Sequence, residues 1–573
     1  MKKIDRRQFL ALAVGVTGDA AFGSAGGQTV SVTDFGADPT GKNDSTLSLE
    51  NATSHLIETG GRTLLFPHGT YKLASVRHPA LSFAGYSGFE VAGSGSTLLM
   101  GSDAACIAMT RCNNAAIHDL IVNWDPLPYT QGVVSSSGIG WFEITVDSGY
   151  PVSSHVTIWT IESYDRDRRN VARKALQIGG DKIIGVQSNG ARALRVQLYH
   201  PMPVPLGTVL VLRFKGNHAG MELSHSRNIS FHDVTLLSGY SIGYNIAYCE
   251  NLAFHRCMIG FSPNSDRLLS TNADGMHITN CSGSLAIDHC IFQGTGDDAI
   301  NVNTPLWHAQ RRSNGRGAVV VSRNDTPLSS EDAPTVDDQL EVLDPRDLHV
   351  ILRESPESNS TTTIAGNIPQ GALVSDLNRL PATVVSHCQF LGNHSRAVLA
   401  HANLQVTNCH FQYTSLAAIM IAPDAYWMEG PATKNIVIDA NSFVGCHYAS
   451  LDPEGTVTVD VEQTFGRRTA LPRAIAENVR ITNNTFTDCY TSAISCRSID
   501  NLSIAGNLVG KTWIGGSNQA AIQAGELKDS SITDNISAVP NVIDIRDSEN
   551  TKLSGNHGFS QQIEATICSG PQK

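Results

Sequence analysis

The sequence predicts an all-β chain, a right-handed parallel β-helix with an N-terminal capping helix and two small antiparallel β insertions. Three observations lead there. A seven-residue pattern of alternating apolar residues recurs through most of the chain. Its copies are irregularly spaced, with start-to-start distances that include 23 (228 to 251), 32 (403 to 435), 23 (478 to 501) and 21 (529 to 550) residues. Gly is abundant, 50 of 573 residues, while aromatic residues are only 6%. That composition suits many tight turns and few long helices.

The chain opens with Lys2, Lys3, Arg6 and Arg7, then Gln8-Phe9-Leu10 and a short apolar core, Phe9 to Val16. Small residues follow around Ala20 to Ala25. This resembles a twin-arginine export signal, so residues 1–25 are expected to be a leader and the mature protein periplasmic or secreted. No stretch approaches the about 18 apolar residues of a membrane span, and none is expected.

Next comes Thr33-Asp-Phe-Gly-Ala-Asp-Pro, then a helical stretch to about Glu58 with Leu49, Ala52 and Leu56 on one face. Asp44 or Ser45 is placed to cap it. Such a helix would cover the open end of a solenoid, where unpaired strand edges invite aggregation.

The repeat copies are Asn114–Leu120, Asn228–Val234, Asn251–Cys257, Ser284–Cys290, Asn403–Cys409, Asn435–Asn441, Asn478–Asn484 and Asn501–Asn507, with weaker ones from Asp529 and Asn550. Each reads as a strand with one buried face. Helical repeats do not fit strands so short, whereas a parallel solenoid lets coil length vary at its loops. The seventh position is Cys257, Cys290, Cys409, Asn441, Asn484, Asn507, Asn535 and Asn556, with Cys388 in the same phase. In coils stacked about 4.8 Å apart, Asn there can form an amide ladder and Cys can fill the slot as a small buried hydrophobe. A disulfide framework or a metal site is the other reading of 12 cysteines, but no Cys-x-x-Cys spacing occurs.

Two stretches interrupt the repeat. Residues 133–213 and 305–380 read as alternating strands and are expected to be antiparallel insertions, either walls of a cleft or decoration. The expected organisation is a leader at 1–25, the start of the β-helix at 29–132, an insertion at 133–213, and catalytic coils at 214–304. A second insertion at 305–380, C-terminal coils at 381–560 and a tail at 561–573 complete it. Charged residues are 16% and hydrophobic ones 41%, which excludes a disordered chain. A net charge of −12 excludes a general nucleic-acid binder and leaves neutral sugars open.

The chemistry lies in Asn272-Ala-Asp-Gly-Met-His277 and Gly294-Thr-Gly-Asp-Asp-Ala-Ile-Asn301. Asp274 and Asp297 are 23 residues apart, one coil, and are expected at one angular position on neighbouring strands. Carboxylates so close cannot all ionise normally, so at least one holds its proton. A protonated acid beside an ionised base is what glycoside hydrolysis requires. Asp297 and Asp298 should face opposite ways on a strand, so a bulge or bend must turn both to one cleft, and Gly294 and Gly296 ease it. A calcium site and Asp-capped turns are the competing readings.

Asn-x-Asp followed by Gly-x-Asp-Asp on a β-helix resembles polygalacturonases, yet the Gly-His-Gly and Arg-Ile-Lys of that family are absent. The chain is more similar to glycoside hydrolase family 110, exo-acting α-1,3-galactosidases that include blood-group B-cleaving enzymes. The matching pieces are Asn123-Trp-Asp-Pro-Leu-Pro-Tyr-Thr-Gln-Gly132, the two aspartate blocks, and Ala418-Ile-Met-Ile-Ala-Pro-Asp-Ala-Tyr-Trp-Met-Glu-Gly430. The resemblance implies an inverting exo-galactosidase on a β-helix with β-barrel-like insertions, with no cofactor or metal. Its partner would be a galactose-terminated oligosaccharide or glycoconjugate, and a homo-oligomer is allowed. It implies Asp274, Asp297 and Asp298 as the catalytic acids, with Asp297 as general acid by analogy with polygalacturonases. His277, Asn301, Asn303, Arg396, Asp424, Trp427 and Glu429 are candidate sugar contacts. Trp427 reads equally as a platform for the apolar face of galactose or as core. Asp125, between Trp124 and Pro126, reads as part of a rigid turn or of the cleft rim. A polygalacturonase-like hydrolase and a non-catalytic carbohydrate-binding β-helix remain the alternatives.

Overall fold

The computed structural model describes residues 27–564 except 75, 77, 168, 263, 313–316, 347, 358–361, 450–453, 461–474 and 513–519. The expected leader and the end of the expected tail lie outside the described residues.

The architecture is all-β. A 37-stranded sheet runs through most of the chain, and its pairings are parallel except between Thr304–Pro305 and Glu429–Gly430. The strands stack in three ladders, and each circuit of the chain adds one rung to every ladder. The repeat strands form the first ladder, as in Arg227–Leu236, Glu250–His255 and Ser282–Asp288. The second takes Met258–Ile259, Ile291–Gln293 and Gln389–Leu391. The third takes Tyr244–Ala247, Met276–Thr279, Ile300–Pro305, Val398–Ala400 and Ile419–Ile421.

Inward residues form one continuous apolar core. Phe390, Phe411, Phe443 and Phe486 stack rung on rung at 4.7–4.8 Å between ring centroids. Fully burying each such side chain contributes about 1.5–3 kcal/mol. The seventh repeat position makes an internal ladder. The Cys388 amide donates to Cys409 Sγ at 3.4 Å, and the Cys409 amide to Asn441 Oδ1 at 2.9 Å. Asn441, Asn484 and Asn507 pass the same bond to Asn535. Eleven cysteines among the described residues are free and buried.

The first repeat position has its own cause. Asn228, Asn251, Asn403, Asn435, Asn478 and Asn501 all have φ between 53° and 63°. That left-handed conformation costs most L-residues about 1–2 kcal/mol, and Asn tolerates it best after Gly. Their side chains also stack outside, with Asn251 Nδ2 donating to Asn228 Oδ1 at 3.1 Å.

The helix spans Thr46–Thr59 and buries Leu49, Ala52 and Leu56 against the first rungs. Its cap is Asp44, whose Oδ1 accepts from the Thr46 amide at 3.1 Å and from Ala74 N at 3.0 Å. The side chain of Ser45 instead accepts the Asp38 amide.

Both interruptions of the repeat are antiparallel sheets. The first, of eight strands, begins at Tyr129–Gly138 and ends at Val209–Phe214. Its own core takes in Leu268 and Leu269 from the coil ahead of Asp274. The second has six strands, from Trp307–Arg311 to Leu373–Asp376. Both follow open pairing paths, and no pairing among the described residues joins their ends.

Candidate active site

The two aspartate blocks occupy turns that lead into the third ladder. Met276 pairs with Ile300 and His277 with Asn301, so one coil here is 24 residues. Asp298, not Asp297, is therefore the residue in register with Asp274. The Gly275 amide donates to Asp298 O at 2.8 Å, and Gly243 N to Asp274 O at 2.9 Å. Asp297 matches Ala273 instead: Thr295 Oγ1 donates to Asp297 O as Thr271 Oγ1 does to Ala273 O. The expected one-coil spacing misses by one residue because coils differ in length, 23 residues from His232 to His255 and 24 from His277 to Asn301.

Asp297 and Asp298 escape opposite orientations because they lie in a turn, between Ile291–Gln293 and Ile300–Pro305. Gly294 turns with φ 61°. At Gly296 an added Cβ would stand 2.5 Å from Thr271 O and 2.6 Å from Asn272 O. Only glycine lets the two rungs approach so closely. Carboxylate oxygens of Asp274, Asp297 and Asp298 consequently lie within 4.8 Å of one another.

This crowding sets the electrostatics. Burial, then the charges of Asp298 and Asp274, push Asp297 well above the usual carboxylate range, and Arg396 and Arg213 offset only part. Asp298 is pushed up to about 6, by burial first, with Arg396 restraining the rise. The Arg396 amide donates to Asp298 Oδ1 at 2.9 Å. One carboxyl thus holds its proton at a pH where its neighbour ionises, the acid–base division that glycoside cleavage needs.

His277 Nδ1 lies 2.9 Å from Asp274 Oδ2. Burial opposes its charge, but the Asp274 hydrogen bond and the charges of Asp274, Glu429 and Asp298 outweigh it, and its pKa rises. Asn301 and Asn303 lie beside it on the same outward row, where Asn303 Nδ2 donates to Asn301 Oδ1 and Asn303 Oδ1 accepts from Thr279. Glu429 reaches the row from the strand pair with Thr304–Pro305. Burial raises its pKa, but His401, 3.9 Å away, His277 and Asn301 prevail and lower it. Asp424 Oδ1 accepts the amides of Tyr426 and Trp427 at 2.6 and 3.1 Å, which shapes the turn carrying both. Trp427 is 57% exposed, outside the core.

Sequence reasoning missed the residues that tie the first inserted sheet to this turn. Arg213 Nη1 donates to Asn272 O at 3.1 Å and to Gly296 O at 2.7 Å, the carbonyls two residues before Asp274 and Asp298. Its charge is met by buried Glu162 on the adjacent strand. Asn272 Nδ2 donates to Pro128 O and Phe214 O, where the chain enters and leaves the sheet. His394 Nε2 lies 3.3 Å from Glu162 Oε1, and burial holds its pKa down near 4. A signal was present for one of the pair: Arg213 is the lone charge in the otherwise apolar strand Val209–Phe214. A cleft of about 600 Å³ opens here, lined by Trp159, Glu162, Gln177, Arg213, Asp297 and His394.

No family model matches the sequence. The chain is 25% identical over 559 residues to α-1,3-galactosidase B of Bacteroides thetaiotaomicron, covering 84% of this chain and 86% of that relative. It is 22% identical to α-1,3-galactosidase A of Bacteroides fragilis, covering 84% and 87%. It is also 22% identical to α-1,3-galactosidase A of Streptomyces avermitilis, covering 88% and 92%. Among solved structures, it resembles the surface adhesin PfbA of Streptococcus pneumoniae with a TM-score of 0.46 at 11% identity, covering 95% and 97%. The catalytic unit of an α-1,3-glucanase from Streptomyces thermodiastaticus gives 0.41 at 15%, covering 96% and 71%. Similarity to the named galactosidases over most of the chain supports a glycoside hydrolase of the galactosidase type. Among the described residues no helix is long and apolar enough to cross a membrane.

Proposed function

We propose that this chain is an exported, exo-acting α-1,3-galactosidase on a right-handed parallel β-helix, releasing terminal galactose from an oligosaccharide or glycoconjugate. The observation that carries the reading is the carboxyl triad, Asp274, Asp297 and Asp298, with oxygens within 4.8 Å and with Asp297 raised further than Asp298. Asp297, which holds its proton most firmly, protonates the leaving glycosidic oxygen. Asp298, ionised above about pH 6, and Asp274 draw the proton from an attacking water. His277, Asn301 and Glu429 receive sugar hydroxyls, and exposed Trp427 takes an apolar sugar face. The Arg-Arg leader directs the enzyme to the periplasm or beyond.

Water entering from the face opposite the leaving group gives inversion. The spacing also favours a second reading. Carboxyls in inverting enzymes stand roughly 6.5–9.5 Å apart, those in retaining enzymes about 5–5.5 Å, and the oxygens here lie within 4.8 Å. In the retaining reading Asp298 attacks the anomeric carbon itself. Proton NMR of the first sugar released from an α-galactoside decides: β-galactose supports inversion, α-galactose retention, and no galactose from any α-1,3-linked substrate sinks the proposal. Release of galacturonate from polygalacturonate would transfer the chain to the alternative class.

A further inference from the structure

On its outward side the first ladder carries a column of imidazoles and carboxylates that galactoside cleavage does not use. His232, His255, Asp288 and Ser386 occupy one register position on successive rungs. The residue after each turns back at positive φ, 53° at His289 and 52° at His387. That turn returns two more rings to Asp288.

The two oxygens of Asp288 are used differently. Oδ1 accepts from Ser386 Oγ at 2.7 Å and lies 3.0 Å from His387 Nδ1. Oδ2 lies 2.7 Å from His289 Nδ1 and 3.2 Å from His255 Nδ1. One donor atom from each of His255, Asp288 and His289 lies within 4.8 Å of the other two. The site is open to solvent, with side-chain exposures of 32%, 28% and 55%.

We propose that His255, Asp288 and His289 form a site for a divalent transition metal, zinc being the best fit. Two imidazole nitrogens and one carboxylate oxygen are the protein donors of open zinc sites, where water supplies the fourth ligand. Calcium and magnesium prefer all-oxygen surroundings, so the donor set argues against them. Zinc bonds of about 2.0–2.2 Å set neighbouring ligand atoms about 3.3 Å apart in a tetrahedron. The two Asp288–imidazole separations already approach that, so small side-chain rotations admit the ion. Ser386 and His387 hold the far oxygen and aim Oδ2 at the two rings, the outer support that ligating carboxylates need. Hydrogen bonding alone does not require two ring nitrogens to converge on one oxygen while the other is already satisfied. The catalytic triad, by contrast, offers oxygen donors only.

The full chain, stripped with a chelator, is titrated with zinc chloride by calorimetry, and cobalt(II) is bound separately for visible spectroscopy. One zinc per chain and a cobalt absorption typical of mixed nitrogen–oxygen ligation are expected. The double variant His255→Ala/His289→Ala should bind zinc at least about tenfold more weakly, while Asp298→Asn binds it unchanged. Metal-free thermal melts check that the double variant folds. Absence of binding to the unaltered chain overturns the proposal, and so does stoichiometric zinc that survives the double variant or disappears in Asp298→Asn.

Discussion

The backbone amide of Arg396 donates to Asp298 Oδ1 at 2.9 Å, while the guanidinium Nη1 of the same residue stands 3.7 Å from that oxygen. Both contacts favour the ionised form, and they hold Asp298 near 6 where burial alone would drive it higher. Asp297, one position earlier, is pushed well above the carboxylate range by burial and by the charges of Asp298 and Asp274. A kcat/KM profile should accordingly be bell-shaped, with its acid limb near pH 6. Arg396→Met removes the guanidinium and keeps the amide, so that limb should move to higher pH. An unmoved limb would assign the base elsewhere.

Replacing the acids separates activity from stability. Asp298 is harder to ionise folded than unfolded, so the wild-type protein loses stability as pH rises from about 4 to about 6. Asp298→Asn keeps an oxygen for the Arg396 amide and removes that penalty. It should raise stability by up to about 3 kcal/mol at pH 7, leave it nearly unchanged at pH 4, and lower kcat by about 10²-fold or more. Melting curves at both pH values and turnover of an aryl α-galactoside test this together. Asp274→Asn and Asp297→Asn should lower kcat comparably.

Arg213 and Glu162 are both buried. Arg213→Met strands the Glu162 carboxylate and should cost about 3–5 kcal/mol in denaturant unfolding. Adding Glu162→Leu should restore much of the stability, because the pair is then removed together. Turnover should stay low in the double variant, since the carbonyls of Asn272 and Gly296 remain without their donor. Full recovery of kcat would show that the clamp does not position the acids.

The internal ladder predicts an ordering of substitutions. Asn484→Ala leaves the Asn441 amide without its acceptor and should cost about 1–3 kcal/mol. Asn484→Cys should cost less, because Cys409 Sγ already accepts an amide at the same repeat position two rungs away. Equal losses in chemical denaturation would mean the slot selects size alone.

Trp427 is 57% exposed and edge-on to Tyr426. Trp427→Ala should raise KM several-fold with little change in Tm or kcat. A large drop in Tm would mark it as structural.

Much of this was legible in the chain. Period-2 runs at one-coil spacings located the rungs because the repeat is local. The seventh position announced its ladder, since stacking multiplies one preference across many copies. What escaped depends on exact register or on distant pairing. A one-residue difference in coil length moves the partner of Asp274 from Asp297 to Asp298, and no pattern in the strands counts turn residues that finely. The first-position Asn encodes a left-handed turn, a backbone preference that hydrophobic patterning does not register. The clamp at Arg213 joins residues 59 and 83 positions away. Only the oddity of a lone Arg in Val209–Phe214 could have pointed to it.

Rungs on either side of the two inserted sheets pair in register although their partners are 114 and 98 residues apart. Closing such detours costs little more as they lengthen, about 0.6 kcal/mol per doubling. The scaffold can therefore lengthen either excursion while its acids stay in place, so long as the Arg213 clamp on Asn272 and Gly296 is kept. Variation in the excursions is cheap for the column beneath them, and the residues that must survive it are the few that reach back to the aspartate turns.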